Sequence, residues 1–292
     1  MATIPTTLQA RLSSVRERIA SACAAVRRPA ESVCLVAVSK TFPAVAVRAA
    51  AEAGQRDFGE NYLQEAIAKM DEVAMWGAQG QKPFAPSHVD GVRPSAVDGA
   101  EREADDGAHW NAFAVAPSEA PRFGVPSPQA GPLLRPLTWH FIGPIQSNKT
   151  RPIAERFDWV HTVDREKIAR RLSEQRPEAR GLLNVCIEVN VSGESSKSGV
   201  APADVPALAR IVASLPRLTL RGLMAIPEPT TDADLQRHRF ATLRELKESL
   251  VREGLALDTL SMGMSADLEA AIAEGATMVR VGTAIFGERT KG

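Results

Sequence analysis

SMGMSADLEAAIAEGATMVRVGTAIFG, residues Ser261 to Gly287, is the stretch from which the rest of the chain is read. Two short apolar runs, TLSMGM and TMVRVG, flank a compact helix that Ser265 can cap and Gly275 can stop. Each run opens into small residues, Met264-Ser265 after the first and Gly282-Thr283 after the second. Small residues let backbone N–H groups approach an anion, and a nearby helix start adds a favourable dipole. In a barrel of alternating strands and helices, the loops after the seventh and eighth strands form the usual phosphate cradle.

The preceding chain supplies six more strand-like runs. Val33 to Val38 is continuously apolar, as suits a strand buried on both faces, and it ends in Ser39-Lys40-Thr41. The others are Arg56–Gly59, the run from Leu137, Asp158–Val163, Asn184–Asn190 and Leu218–Ile226. Helical patterns alternate with them. The first runs from a Thr6-x-x-Gln9 capping box through Leu8, Leu12, Val15 and Ile19 to Arg28-Pro29. Others begin at Pro43, after Tyr62, at Gln146–Lys149, after a capping Asp164, and over 203–215 and 232–253. Eight alternations predict a single (β/α)8 barrel, with an open doubly wound sheet as the alternative. From about Gly77 to Arg135 the periodicity lapses and proline and glycine accumulate, which reads as a mobile inserted loop within one domain spanning 1–292.

Lysines plus arginines and aspartates plus glutamates number 35 each, so no net charge points to nucleic acid or an anionic membrane. Cys23, Cys34 and Cys186 form no C-x-x-C pair, and three separate thiols fit a reducing cytosol. Neither a signal peptide nor a membrane-length apolar run is visible. His88 and His109 lack metal-ligand spacing. Lys197-Ser198 lacks the G-x-x-x-x-G-K-[ST] spacing of a nucleotide-binding loop.

Lys40 is the informative residue. At the carboxyl end of a buried strand it occupies the position where barrels keep their sites, and burial shifts a lysine toward a neutral, nucleophilic amine able to form a Schiff base with an aldehyde. Asn61, at the second strand-to-helix transition, reads first as a helix cap and second as a ligand contact. On a barrel, Lys40, Ser265, Gly282 and Thr283 converge at one mouth. An amine facing a phosphate cradle suits pyridoxal phosphate and equally a sugar-phosphate aldolase.

LVAVSKT, FGENYLQE, WHFIGPIQSNKTR, VNVSGESSKSG, LRGLMAIP and the closing stretch resemble, in order, the motifs of the pyridoxal-phosphate homeostasis protein family. The resemblance implies a barrel similar to the N-terminal domain of alanine racemase, with pyridoxal phosphate on Lys40 and its phosphate near Ser265, Gly282 and Thr283. It implies Arg280 near the pyridine nitrogen, which that cation keeps unprotonated. The implied role is a cytoplasmic, monomeric carrier that supplies apo pyridoxal-phosphate enzymes without substantial catalysis. An amino-acid racemase is the rival. It needs a second base on the opposite face, usually from a β-rich domain not expected here, and Tyr62 is the one tyrosine.

Overall fold

The computed structural model of the chain describes residues 7–78, 136–193 and 198–288. Eight parallel strands close into a barrel in sequence order, with β1 (Cys34–Val38) hydrogen-bonded to both β2 (Asp57–Glu60) and β8 (Met278–Val281). Between them lie β3 (Thr138–Phe141), β4 (Trp159–Val163), β5 (Leu183–Glu188), β6 (Leu218–Met224) and β7 (Thr259–Ser261). The closed order excludes the open doubly wound sheet. The run 79–135, and with it nearly all of the inserted loop read from the sequence, lies outside the described residues.

The helices are α1 (Leu8–Ala25), α2 (Ala44–Glu52), α3 (Leu63–Ala78), α4 (Thr150–Arg156), α5 (Glu166–Gln175), α6 (Val205–Ala213), α7 (Ala233–Arg252), α8 (Leu268–Ala273) and α9 (Thr283–Phe286). Several ends follow from single residues. Asp232 caps α7 by accepting from Asp234 N and Leu235 N. The α2 helix closes with Gly54 at φ +85, Gly54 N donating to Ala51 O and Gln55 N to Ala50 O, the paired bonds of a Schellman stop. Other expected caps shift. The cap of α1 is Thr7, whose hydroxyl accepts from Ala10 N. The residue before α5 is Arg165, which makes no side-chain cap, and Asp164 pairs with Arg165 instead.

The two faces of each strand do different work. Leu35 and Ala37, Phe58, Trp139 and Phe141, Val185 and Ile187, Val279 and Val281 join one large core under the outer helices. Their alternates therefore face the barrel axis. There Trp159, Cys186, Met224 and Met278 form a small separate cluster against Cys34. On the same faces stand Gly59, His140, His161, Glu188, Ser261 and Arg280, with His140 in register with Trp159 and Ser261 with Met224 and Met278. A barrel interior is ordinarily plugged by branched apolar residues; this one carries buried polar side chains beside its apolar ones.

Candidate functional site

Three connections meet at the mouth over β1, β7 and β8. After β1, Ser39-Lys40-Thr41 turns sharply, with Phe42 N donating to Ser39 O and Thr41 at φ +67, a conformation costly for a β-branched residue. By strand alternation Lys40 shares the axial parity of Val36 and Val38, and it is half-buried. Phe42 stacks on Phe286 of α9 at 5.0 Å, tying the Lys40 turn to the segment that begins at Gly282 and Thr283. Gly282 lies so close to β1 that a Cβ there would sit 3.2 Å from Val38 O.

Ser265 belongs to the turn after β7, where its carbonyl accepts from Arg18 of α1. It does not cap α8. The residue preceding that helix is Asp267, whose carboxylate accepts from Met264 N at 2.6 Å and so shapes the turn from inside. Asn61 also departs from its first reading, because its Oδ1 is buried and accepts no hydrogen bond, so it caps nothing. The backbone of Asn61 packs on Gly143, where a Cβ would fall 2.3 Å from Asn61 O. The mouth thus brings Lys40, Ser265, Gly282 and Thr283 onto adjoining connections, with Asn61 on the neighbouring β2 connection.

Below them Arg280 is buried and held at fixed geometry. Nη1 donates to Ser261 Oγ at 2.6 Å and Nη2 to Ala225 O at 2.9 Å. Burial pulls its value down to about 10, opposed by the Asp267 and Glu188 carboxylates, so the guanidinium stays charged at neutral pH. From Ser261 a line of contacts crosses the barrel. Ser261 Oγ lies 2.7 Å from His161 Nδ1, His161 Nε2 2.9 Å from His140 Nδ1, and His140 Nε2 3.1 Å from Asp57 Oδ1. Burial first, then His140 and Arg280, hold His161 well below the ordinary histidine range, so it is neutral. One set of tautomers satisfies every contact: Arg280 donates to Ser261, Ser261 to His161, His161 to His140 and His140 to Asp57. The line joins the Arg280 cation to the carboxylate of Asp57 at the start of β2.

Glu188 ends β5 on the axial face. Burial, with Asp164 adding, pushes its carboxyl up to about 7 against the pull of Arg280. Such a group binds more protons folded than unfolded, so its stabilising contribution is present below its unfolded value and lost as pH rises through about 7. Glu188→Gln is expected to remove that term, at most about 1.4 kcal/mol per pH unit. The melting-temperature gap between parent and variant should therefore move in the parent's favour as pH falls from about 7.5 to about 5. A gap independent of pH would contradict the assignment.

Several of these residues escape a reading by motif. Glu60, expected in the connection, is the last residue of β2, where burial raises its carboxyl and Lys69 and Ser39 pull it back. His140, His161 and Ser261 carry a weak signal: each is a polar residue on the parity opposite the apolar side chains of its strand. Among the described residues no group of three or more His, Cys, Asp or Glu could hold a metal ion, and no helix is long and apolar enough to cross a membrane.

Residues 11–290 match the family of the alanine racemase N-terminal domain. A pyridoxal phosphate homeostasis protein of Pseudomonas aeruginosa is 51% identical over 286 residues, covering 98% of this chain and 97% of the relative. Its namesake in Escherichia coli K12 is 42% identical, covering 95% of each. PipY of Synechococcus elongatus, solved with pyridoxal phosphate bound, is 33% identical with a TM-score of 0.68, covering 96% of this chain and all of PipY. An alanine racemase of Clostridium difficile, at 11% identity and a TM-score of 0.57, shares the fold over 97% of this chain and 57% of its own. A closed eight-stranded barrel, near-complete coverage and identities up to 51% together make this chain a member of the pyridoxal phosphate homeostasis protein family.

Proposed function

We propose that this protein binds pyridoxal phosphate as a Schiff base on Lys40 and releases it to apo-enzymes, taking part in intracellular cofactor homeostasis without substantial catalysis of its own. The observation that carries the reading is the shared mouth: a lysine turn stacked, through Phe42 and Phe286, on the segment that starts with Gly282-Thr283. The residues fit the group. The β7 and β8 connections supply the backbone N–H groups of Ser265, Gly282 and Thr283, and the hydroxyls of Ser265 and Thr283, for a phosphate. Asn61 Oδ1 is a buried acceptor open to a donor, and Arg280 is a fixed cation for a ring nitrogen. The cofactor supplies an electrophilic aldehyde, with which the Lys40 amine forms a C–N double bond with loss of one water.

The homeostasis relatives and the pyridoxal-phosphate complex of PipY support the reading. Free thiols at Cys23, Cys34 and Cys186 suit the reducing cytoplasm we propose for it. We take the working unit to be a single barrel, a monomer spanning 1–292. The test is transfer. Loaded protein mixed with an apo pyridoxal-phosphate enzyme should lose its visible absorbance as the acceptor gains activity, faster than the same concentration of free cofactor can explain. A protein that takes up pyridoxal phosphate but never restores the acceptor is not a carrier.

A further inference from the structure

Behind the Lys40 turn, on the outer side of the barrel wall, lies a buried ionic group that the binding reading leaves unused. Glu60 has the parity of Phe58 and so faces α3 rather than the axis. From α3 the buried Lys69 meets it, Nζ to Glu60 Oε1 at 2.6 Å. The same ammonium donates to Ser39 O at 2.7 Å and to Glu65 Oε1 at 3.0 Å, so its three hydrogens are all used. Ser39 Oγ donates back to Glu60 Oε1 at 2.6 Å, and Thr41 N donates to Glu65 Oε1 at 2.6 Å.

Ser39 and Thr41 are the two neighbours of Lys40. One ammonium and the carboxylate it pairs with therefore grip the chain immediately before and after that residue, closing a ring through Ser39, Lys40, Thr41, Glu65 and Lys69. An ion pair that merely joined α3 to β2 would need Glu60 alone. A buried pair is also a weak source of stability, since desolvating both ions offsets their attraction. What it gains here is geometric: Thr41 is held at φ +67, which a threonine avoids unless its surroundings impose it.

We propose that Lys69, with Glu65, is a positioning residue for Lys40, pinning the Ser39–Thr41 turn so that the amine is presented to the barrel mouth. The proposal rests on Lys40 being the residue that takes the aldehyde. It separates two properties, holding the ligand and linking to it. Ligand held by the β7 and β8 connections does not touch the clamp, whereas formation of the link depends on where the amine points, and a displacement of about 1 Å can cost about 10²-fold in rate.

The experiment uses the full chain and two probes, pyridoxal phosphate and pyridoxine 5′-phosphate, which lacks the aldehyde. Rates of formation of the borohydride-reducible link are compared for the parent, Lys69→Met, Lys69→Arg and Glu65→Ala. Affinity for pyridoxine 5′-phosphate and thermal stability are measured alongside. Lys69→Met and Glu65→Ala should slow the link by about tenfold or more, with affinity for pyridoxine 5′-phosphate within about twofold of the parent. Lys69→Arg, which retains donors for the same acceptors, should recover most of the rate. If Lys69→Met does not fold, the half-exposed Glu65 provides the test through Glu65→Ala. A linking rate equal to the parent's in folded Glu65→Ala overturns the clamp, as does a loss matched by an equal loss of pyridoxine 5′-phosphate affinity. A parent that forms no link on Lys40 defeats the binding reading, and the clamp with it.

Discussion

Lys40→Ala is expected to abolish the borohydride-reducible link while leaving a folded protein that still binds pyridoxal phosphate weakly. Lys40 sits beyond β1 in a turn fixed by backbone contacts of Ser39 and Thr41, so truncating its side chain removes no element of the core. The proposed phosphate contacts at Ser265, Gly282 and Thr283 and the Arg280 cation stay in place. What goes is a positioned amine, and effective molarities of well-oriented intramolecular reactions reach about 10⁵–10⁸ M. A loss of apparent affinity of about 10²-fold or greater is the expected scale. Absorbance titration of parent and variant at equal concentration checks it. A variant that keeps the parent's spectrum and affinity would remove Lys40 from the site.

Proton exchange at the α-carbon of bound amino acids is expected to be slow, and this second effect distinguishes a carrier from a racemase. Two features oppose exchange. Arg280 is a buried cation with Ser261 and Ala225 as fixed acceptors, and a cation beside the pyridine nitrogen disfavours its protonation, which makes the ring a weaker electron sink. The other is the supply of bases. Tyr62, the one tyrosine, is 53% exposed in the connection between β2 and α3, and Glu188 carries the Arg280 cation and the Asp164 carboxylate among its neighbours. Where neither Tyr62 nor Glu188 serves as the second base, the rate falls by about 10²–10⁴. Deuterium incorporation into a panel of L-amino acids in heavy water should therefore fall far below ordinary enzyme turnover of about 1–10³ s⁻¹. Exchange within that range, lost in Tyr62→Phe, would identify a racemase.

The barrel was legible because short apolar runs alternating with amphipathic helices and glycine stops leave few other solutions, and element ends moved by only a few residues. The placement of Lys40, Ser265, Gly282 and Thr283 on adjoining connections was legible from strand order, since each follows a strand end of a closed barrel. Caps were less so: Thr7 rather than Thr6 caps α1, Asp267 turns its carboxylate back to Met264 N, and Asn61 Oδ1 accepts no hydrogen bond at all. The polar axis was not legible. A strand such as VCLVAV is apolar on both faces, and the pairing of His140 with His161, or of Ser261 with Arg280, depends on strand stagger around a closed barrel. The Lys69 clamp was hidden for a related reason. Its members lie on β2, on α3 and beyond β1, and only the Glu65–Lys69 spacing of four residues is local.

The central claim is that Lys40 is the amine that carries the aldehyde. Protein loaded with pyridoxal phosphate, reduced with borohydride, digested and mapped by mass spectrometry tests it directly. The pyridoxyl group is predicted on the peptide bearing Lys40 at close to one per chain. Recovery instead on Lys149, in the turn after β3, or on the buried Lys69 would contradict the account.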